Sequence, residues 1–425
     1  MPKTPRDNTP PRTESVTARR PVLDVLNEED YRLLWTAGWA WHSCRWIWVI
    51  IAGYLVLQLT GSTFQTQLVG VAWSTPMLIL GVFSGLIADS FDRRRILIAI
   101  HVLNLVFALA MVILILTGFI QAWHILALTG CIGLSNTLDM AARRTFVSDI
   151  VNRSNLPFAL ALESMSMTGA MMIGPWVGGA LVDFVPLGTA GAGSSYLIVI
   201  FLYLISFVQL RRTTPAKYPA NTTFSLFTAL ANTLEGMQDI AKNRAAIGAL
   251  GITVLVNLFF FSYTPLIPVF AQNVLEVNAT LMGILGGAQG AGALMGSMFI
   301  ASRKHIGRNS NYYVYGSIFA FINLLIFSFS RSFPLSVLSL MMAGFGIAGF
   351  STMQATIILL SVKDEIRGRA MGMVNMAIGA LPIGMLIVGV LAETLGPIRS
   401  TNLSASFGLL TLCIWAWRSK AMRQI

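Results

Sequence analysis

The stretch GLIADSFDRRRIL, Gly85 to Leu97, packs two aspartates and three arginines into the seven positions from Asp89 to Arg95. Only 11% of the 425 residues are charged, against about a quarter in a soluble domain, and 55% are hydrophobic. Long uncharged runs flank the charged knot on both sides. A polar knot between two apolar runs reads as a short aqueous turn joining two rods that lie in lipid. The mean hydropathy of +0.70 agrees with that reading.

Working outward, runs of about 20 apolar residues, the length that crosses about 30 Å of hydrocarbon, recur along the chain. In the first half they fall near 33–58, 66–88, 96–117, 123–138, 156–184 and 194–210. In the second they fall near 245–270, 281–300, 312–329, 333–360, 370–391 and 403–417. The expected fold is an all-α polytopic membrane protein with twelve transmembrane helices in two six-helix bundles. Its expected units are a tail over 1–30, a first bundle over 31–210, a linker over 211–244, a second bundle over 245–417 and a tail over 418–425.

The formal charge of +11 does not point to nucleic acid. With the N-terminus inside, 26 of the 29 Lys and Arg fall in inward-facing segments, as the positive-inside bias requires. Both termini are then cytoplasmic and the chain is placed in a bacterial inner membrane. Residues 1–27, rich in Pro, Thr and Arg, lack the apolar core of a signal peptide and read as a disordered tail. Cys44, Cys131 and Cys413 offer no disulfide framework, and His42, His101, His124 and His305 are too scattered for a metal site. A sparse repeat at an offset of 216 superposes Gly133 on Gly349, Ser135 on Ser351, Asp149 on Glu365 and Arg153 on Arg369. A parallel repeat of this kind suits two bundles around a central substrate path.

Within the knot, Asp89 precedes Arg93 by four residues, a spacing at which the two can meet. Gly81 and Gly85 permit close helix approach, and a carboxylate here can face the N-terminus of another span. Gly85, Asp89, Arg93 and Arg94 resemble the signature loop of the major facilitator superfamily, with Ser90 in place of its basic residue and Asp92 in place of its glycine. The resemblance implies a cytoplasmic latch between the halves, which Asp139 and Arg143 would join. The segments 31–35 (YRLLW), 59–62 (LTGS), 138–143 (LDMAAR), 146–149 (FVSD) and 364–369 (DEIRGR) are similar to the drug-exporter and enterobactin-exporter-like branch. In the last of these, Asp364, Glu365, Arg367 and Arg369 form a second-half charge motif. Gly174, Pro175, Gly178 and Gly179 are similar to the motif of proton-coupled exporters, where glycines permit tight packing and the proline bends the helix.

Ionisable groups inside a span are expensive and invite a functional reading. Arg45 in span one and Glu163 in span five lie at similar depth, so they can pair, either as a static structural pair or as working groups. Trp41, Arg45 and Trp48, spaced i, i+4 and i+7, are expected to form one face lining a central cavity. In this reading Arg45 contacts an anionic substrate group and Glu163 exchanges a proton. Asn257, Gln354 and Asn375 either face the same cavity or hydrogen-bond between helices, while Asp183 and Glu393 sit near outer helix ends where solvation is cheap.

None of the six lysines follows a glycine, so the phosphate-cradling loop of an ATP-driven pump is missing, and no span carries the grouping of a membrane enzyme. The expectation is a monomeric secondary transporter that exports an amphipathic small molecule, such as a drug or siderophore, against proton flow. It needs no cofactor beyond the proton gradient, and its partners are the bilayer and the substrate, not nucleic acid. An importer of a small organic anion and a non-transporting sensor of the same fold are the alternatives.

Overall fold

The computed structural model describes residues 25–152, 155–184, 189–215, 243–303, 309–362 and 367–419. Among them twelve helical rods follow one another. The first six are α1 (Glu29–Thr60), α2 (Thr63–Ser90), α3 (Arg93–Leu116), α4 (Ala122–Ile150), α5 (Leu156–Phe184) and α6 (Thr189–Arg212). The seventh is composite: α7 (Arg244–Leu255) passes through a π turn (Val256–Phe260) and a 3-10 turn (Phe261–Leu266) into α8 (Ile267–Asn273). Then come α9 (Ala279–Ala301), α10 (Asn309–Phe329) and α11 (Phe333–Ser361). The eleventh rod is α12 (Arg367–Ile378) with α13 (Leu381–Leu395), and α14 (Pro397–Arg418) is the last.

Turn chemistry separates the rods. Gly61, at φ +64°, closes α1 in the left-handed region and its N–H reaches Leu57 O; Ser62 then caps α2 by accepting from the Gln65 N–H. The knot does the same at the other end: Asp92 accepts from the Arg94 and Arg95 N–H groups and starts α3. Pro265 and Pro268 lack the N–H that an α-helical ladder needs, and the seventh rod is irregular there.

Ten spans are long and apolar enough to cross a membrane among the described residues. Large apolar side chains such as Ile113, Phe201, Leu338 and Val390 lie bare on the outer surface, which suits lipid and not water. In the first half α1 packs on α5 and α6, and α2 on α4; in the second α11 packs on α9 and α10. The halves meet along α5/α9 and along α2 with α12 and α13. We call the end that holds Glu29 and Arg418 the near end and the opposite one the far end.

Glycine makes the α5/α9 seam. A side chain at Gly179 would run into Ala279 O, and one at Gly283 into Pro175 O, so the two backbones touch. Gly174 and Gly178 face α1 instead, where a Cβ would crowd Trp46 and Ile47.

Candidate functional site

Four ionisable side chains converge where α1, α4 and α5 meet. Asp139 and Arg143 lie one turn apart on α4, and the guanidinium grips the carboxylate with both arms, Nε to Oδ2 at 3.0 Å and Nη2 to Oδ1 at 2.8 Å. The pair is buried, with 3% and 2% of the side chains exposed. Arg143 also donates to Leu34 O on α1. From α5, Glu163 Oε1 lies 3.7 Å from Arg143 Nε and 3.3 Å from His42 Nε2 on α1. Gly38 makes the room: a Cβ there would stand 3.3 Å from both Arg143 Nη1 and Glu163 Oε1. Glu163 Oε2 and His42 Nδ1 are buried without a partner.

Arg45 is not part of this cluster. The expected Arg45–Glu163 pair is absent, because Glu163 is taken by His42 and Arg143. Arg45 instead holds its guanidinium carbon 5.0 Å from the Trp46 ring centre and 4.9 Å from that of Trp73, and among the described residues no carboxylate pairs with it. Trp41 and Trp48 do not line a cavity with it either. Both are buried inside the first bundle, Trp41 against His101 and Tyr203, and Trp48 against Tyr196 with its indole N–H donated to Thr129 Oγ at 3.0 Å. Arg45 lies about 40° round the helix from Trp41, and its long stem swings off the edge of that face. On α1 the tryptophan at the half interface is Trp46.

Trp46 borders a small, partly open cavity of about 30 Å³ between the halves, with Val69, Pro175, Tyr263 and Gln289. Tyr263 donates to Gln289 Oε1 at 2.6 Å, leaving Gln289 Nε2 without an acceptor, and Trp46 Nε1 also lacks one. Nearer the near end, a larger cavity of about 240 Å³ lies between α2, α4 and α12, lined by Gly81, Ser84, Thr137, Arg144 and Asn375. Asn257 and Gln354, in contrast, serve packing: Asn257 donates back to Thr253 O, and Gln354 to Thr253 Oγ.

The charged knot ties elements of the first bundle together. Arg93 meets Asp149 at 2.6 Å, and Arg94 donates to Leu210 O, Thr213 Oγ and Arg211 O at the end of α6. Asp139 and Arg143 do not extend this set; they turn inward to Glu163 and His42. The side chains of Asp89, Arg367 and Arg369 and the surroundings of Gly85 lie outside the described residues, as do Asp364 and Glu365 altogether. Sequence reasoning passed over His42, whose signal was its place one turn before Arg45 at the depth of Glu163. It also passed over Trp46, Trp73 and Gln289.

Residues 22–424 match the family model described as transmembrane secretion effector. The staphyloferrin A transporter of Staphylococcus aureus (strain NCTC 8325 / PS 47) is 23% identical, covering 87% of this chain and 90% of its own length. The multidrug efflux pump Tap of Mycolicibacterium fortuitum is 23% identical over 96% and 98%, and the enterobactin exporter EntS of Shigella flexneri 24% identical over 84% and 83%. Among solved structures, a bacterial homologue of the human lysosomal transporter Spinster matches with a TM-score of 0.68 at 11% identity, covering 96% of this chain and 97% of its own. The chain belongs to the transmembrane secretion effector family of the major facilitator superfamily and is a multi-pass membrane transporter, not an enzyme.

Proposed function

We propose that the chain is a proton-coupled exporter of an amphipathic anion, working by alternating access in a bacterial inner membrane with its near end in the cytoplasm. The observation that carries the coupling is Glu163, a membrane-embedded carboxylate with one oxygen shared between Arg143 and His42 and the other unpartnered. Protonating Glu163 cancels its charge and releases α5 from Arg143 on α4, while Asp139 keeps Arg143 neutralised. A proton and a bundle movement are thereby linked at one atom.

The substrate class follows from what the central space offers. Among the described residues no carboxylate forms an ion pair with Arg45, and the unpartnered buried atoms Trp46 Nε1 and Gln289 Nε2 are both donors. A ligand satisfying them brings acceptors and negative charge, and Trp46, Val49, Ile50 and Pro175 offer an apolar wall for its body. The relatives described as exporting enterobactin and multiple drugs support the direction, outward.

Intracellular metabolites of cells carrying the wild-type chain, Arg45→Gln, or no copy of the gene test this. Amphipathic anions build up equally in the variant and the deleted strain. Build-up of cationic amphiphiles, or none in the variant, contradicts the reading.

A further inference from the structure

At the far end two carboxylates that the transport reading leaves unused each reach across the half interface to the start of a helix. Asp183, in the last turn of α5, accepts from the N–H groups of Ala279 (3.3 Å) and Thr280 (2.7 Å) and from Thr280 Oγ (2.6 Å), at the first turn of α9. Glu393, in the last turn of α13, accepts from the Phe64 N–H at 2.8 Å and from Ser62 Oγ at 3.2 Å, at the first turn of α2. One contact runs from the first half to the second and the other runs back.

The two sites correspond under the internal repeat. Ser62 and Asn278, Phe64 and Thr280, and Gln65 and Leu281 are each separated by 216 positions. Ser62 caps α2 through the Gln65 N–H, and Asn278 caps α9 through the Leu281 N–H. Each helix start thus has its own half's cap as well as a carboxylate from the other half. The cap serves the helix; the carboxylate adds a link between bundles, placed where free N–H groups and the helix dipole favour negative charge. Both links stand directly above the seams α5/α9 and α2/α13 along which the halves touch.

We propose that Asp183 and Glu393 are the paired gating residues of the far end: reciprocal latches that hold the outer side shut and must both release before the transporter can face outward. The inference rests on the alternating-access reading, but its test needs no substrate and no flux. Because both carboxylates are exposed, each is expected to weigh modestly and together they multiply.

The experiment uses the full chain in nanodiscs, with Cys131 and Cys413 replaced by Ala and spin labels at Thr117→Cys and Arg331→Cys on the far end. A second sample carries labels at Arg95→Cys and Arg303→Cys on the near end. Pulsed-EPR distances are compared for the parent, Asp183→Asn, Glu393→Gln and the double variant. Each single change raises the ratio of open to closed far-end distances about two- to fivefold, and the double change by about the product. The near-end pair closes in step. Asp183→Ala and Glu393→Ala must shift the ratio in the same direction, since they remove the acceptor along with the charge. Unchanged far-end distances in either single variant, or far-end opening without near-end closing, overturns the proposal. If the distances shift but no substrate is exported, the latch stands and the transport reading fails.

Discussion

Arg143 is the residue on which the buried cluster turns, since it contacts both carboxylates. Removing one partner of a buried pair leaves an uncompensated charge, so Arg143→Ala should cost about 3–5 kcal/mol and lower the thermal unfolding midpoint in detergent. Glu163→Gln keeps the shape, removes one charge and should leave the midpoint within a few degrees of wild type. The tryptophans separate in the same assay. Trp48→Ala empties a packed site and loses the bond to Thr129, for about 3–5 kcal/mol, whereas Trp46→Ala beside the central cavity should cost far less. At this scale the sequence was half legible. Position along the spans puts Arg45 and Glu163 at one depth, whereas Asp139 and Arg143 entered only through the resemblance, as members of the latch, and form an inward-turned pair instead. Which way a long side chain swings off a helix face depends on neighbouring helices, and so Arg45 lies against Trp73 while His42 meets Glu163.

Among the elements, α5 does the most varied work. One side holds Glu163, Gly174 and Gly178 serve α1, and Gly179 lies against α9. A bulky residue at the seam has nowhere to go, so Gly283→Leu should destabilise the closed far end by about 1–3 kcal/mol, read as a shift toward the open far-end distance. The same change at Gly372, where a Cβ would meet nothing within 4 Å, should leave the distances alone. Helix positions were legible because apolar runs of membrane length have few other readings; α5 spans the expected 156–184. Ends were less so. α4 continues three turns past Leu138 to Ile150, because its charged final turns, including Arg143 and Asp149, are helical although they are not apolar. The breaks in the seventh and eleventh rods were hidden too, since hydropathy runs unbroken through Pro265 and through the turn at Gly379 and Ala380.

For the whole molecule, the two-bundle plan was visible in the twelve runs and in the weak repeat, whose offset reappears at the far-end caps. How the bundles sit against each other was not, because a seam made of glycine and backbone leaves no hydrophobic periodicity. Orientation is an independent expectation from the basic loops. Single cysteines at Phe119 and Arg95 check it in intact cells: a membrane-impermeant maleimide should label the first and not the second. Whether a proton on Glu163 drives substrate movement is measured in proteoliposomes of the purified chain. Anilinonaphthalene sulfonate serves as the amphipathic anion. Gradient-driven accumulation and counterflow without a gradient are measured side by side for wild type and Glu163→Gln. Wild type should support both, and the variant should keep counterflow but lose gradient-driven accumulation by at least about tenfold, the equivalent of about 1.4 kcal/mol. Full gradient-driven accumulation by Glu163→Gln would contradict coupling through that residue.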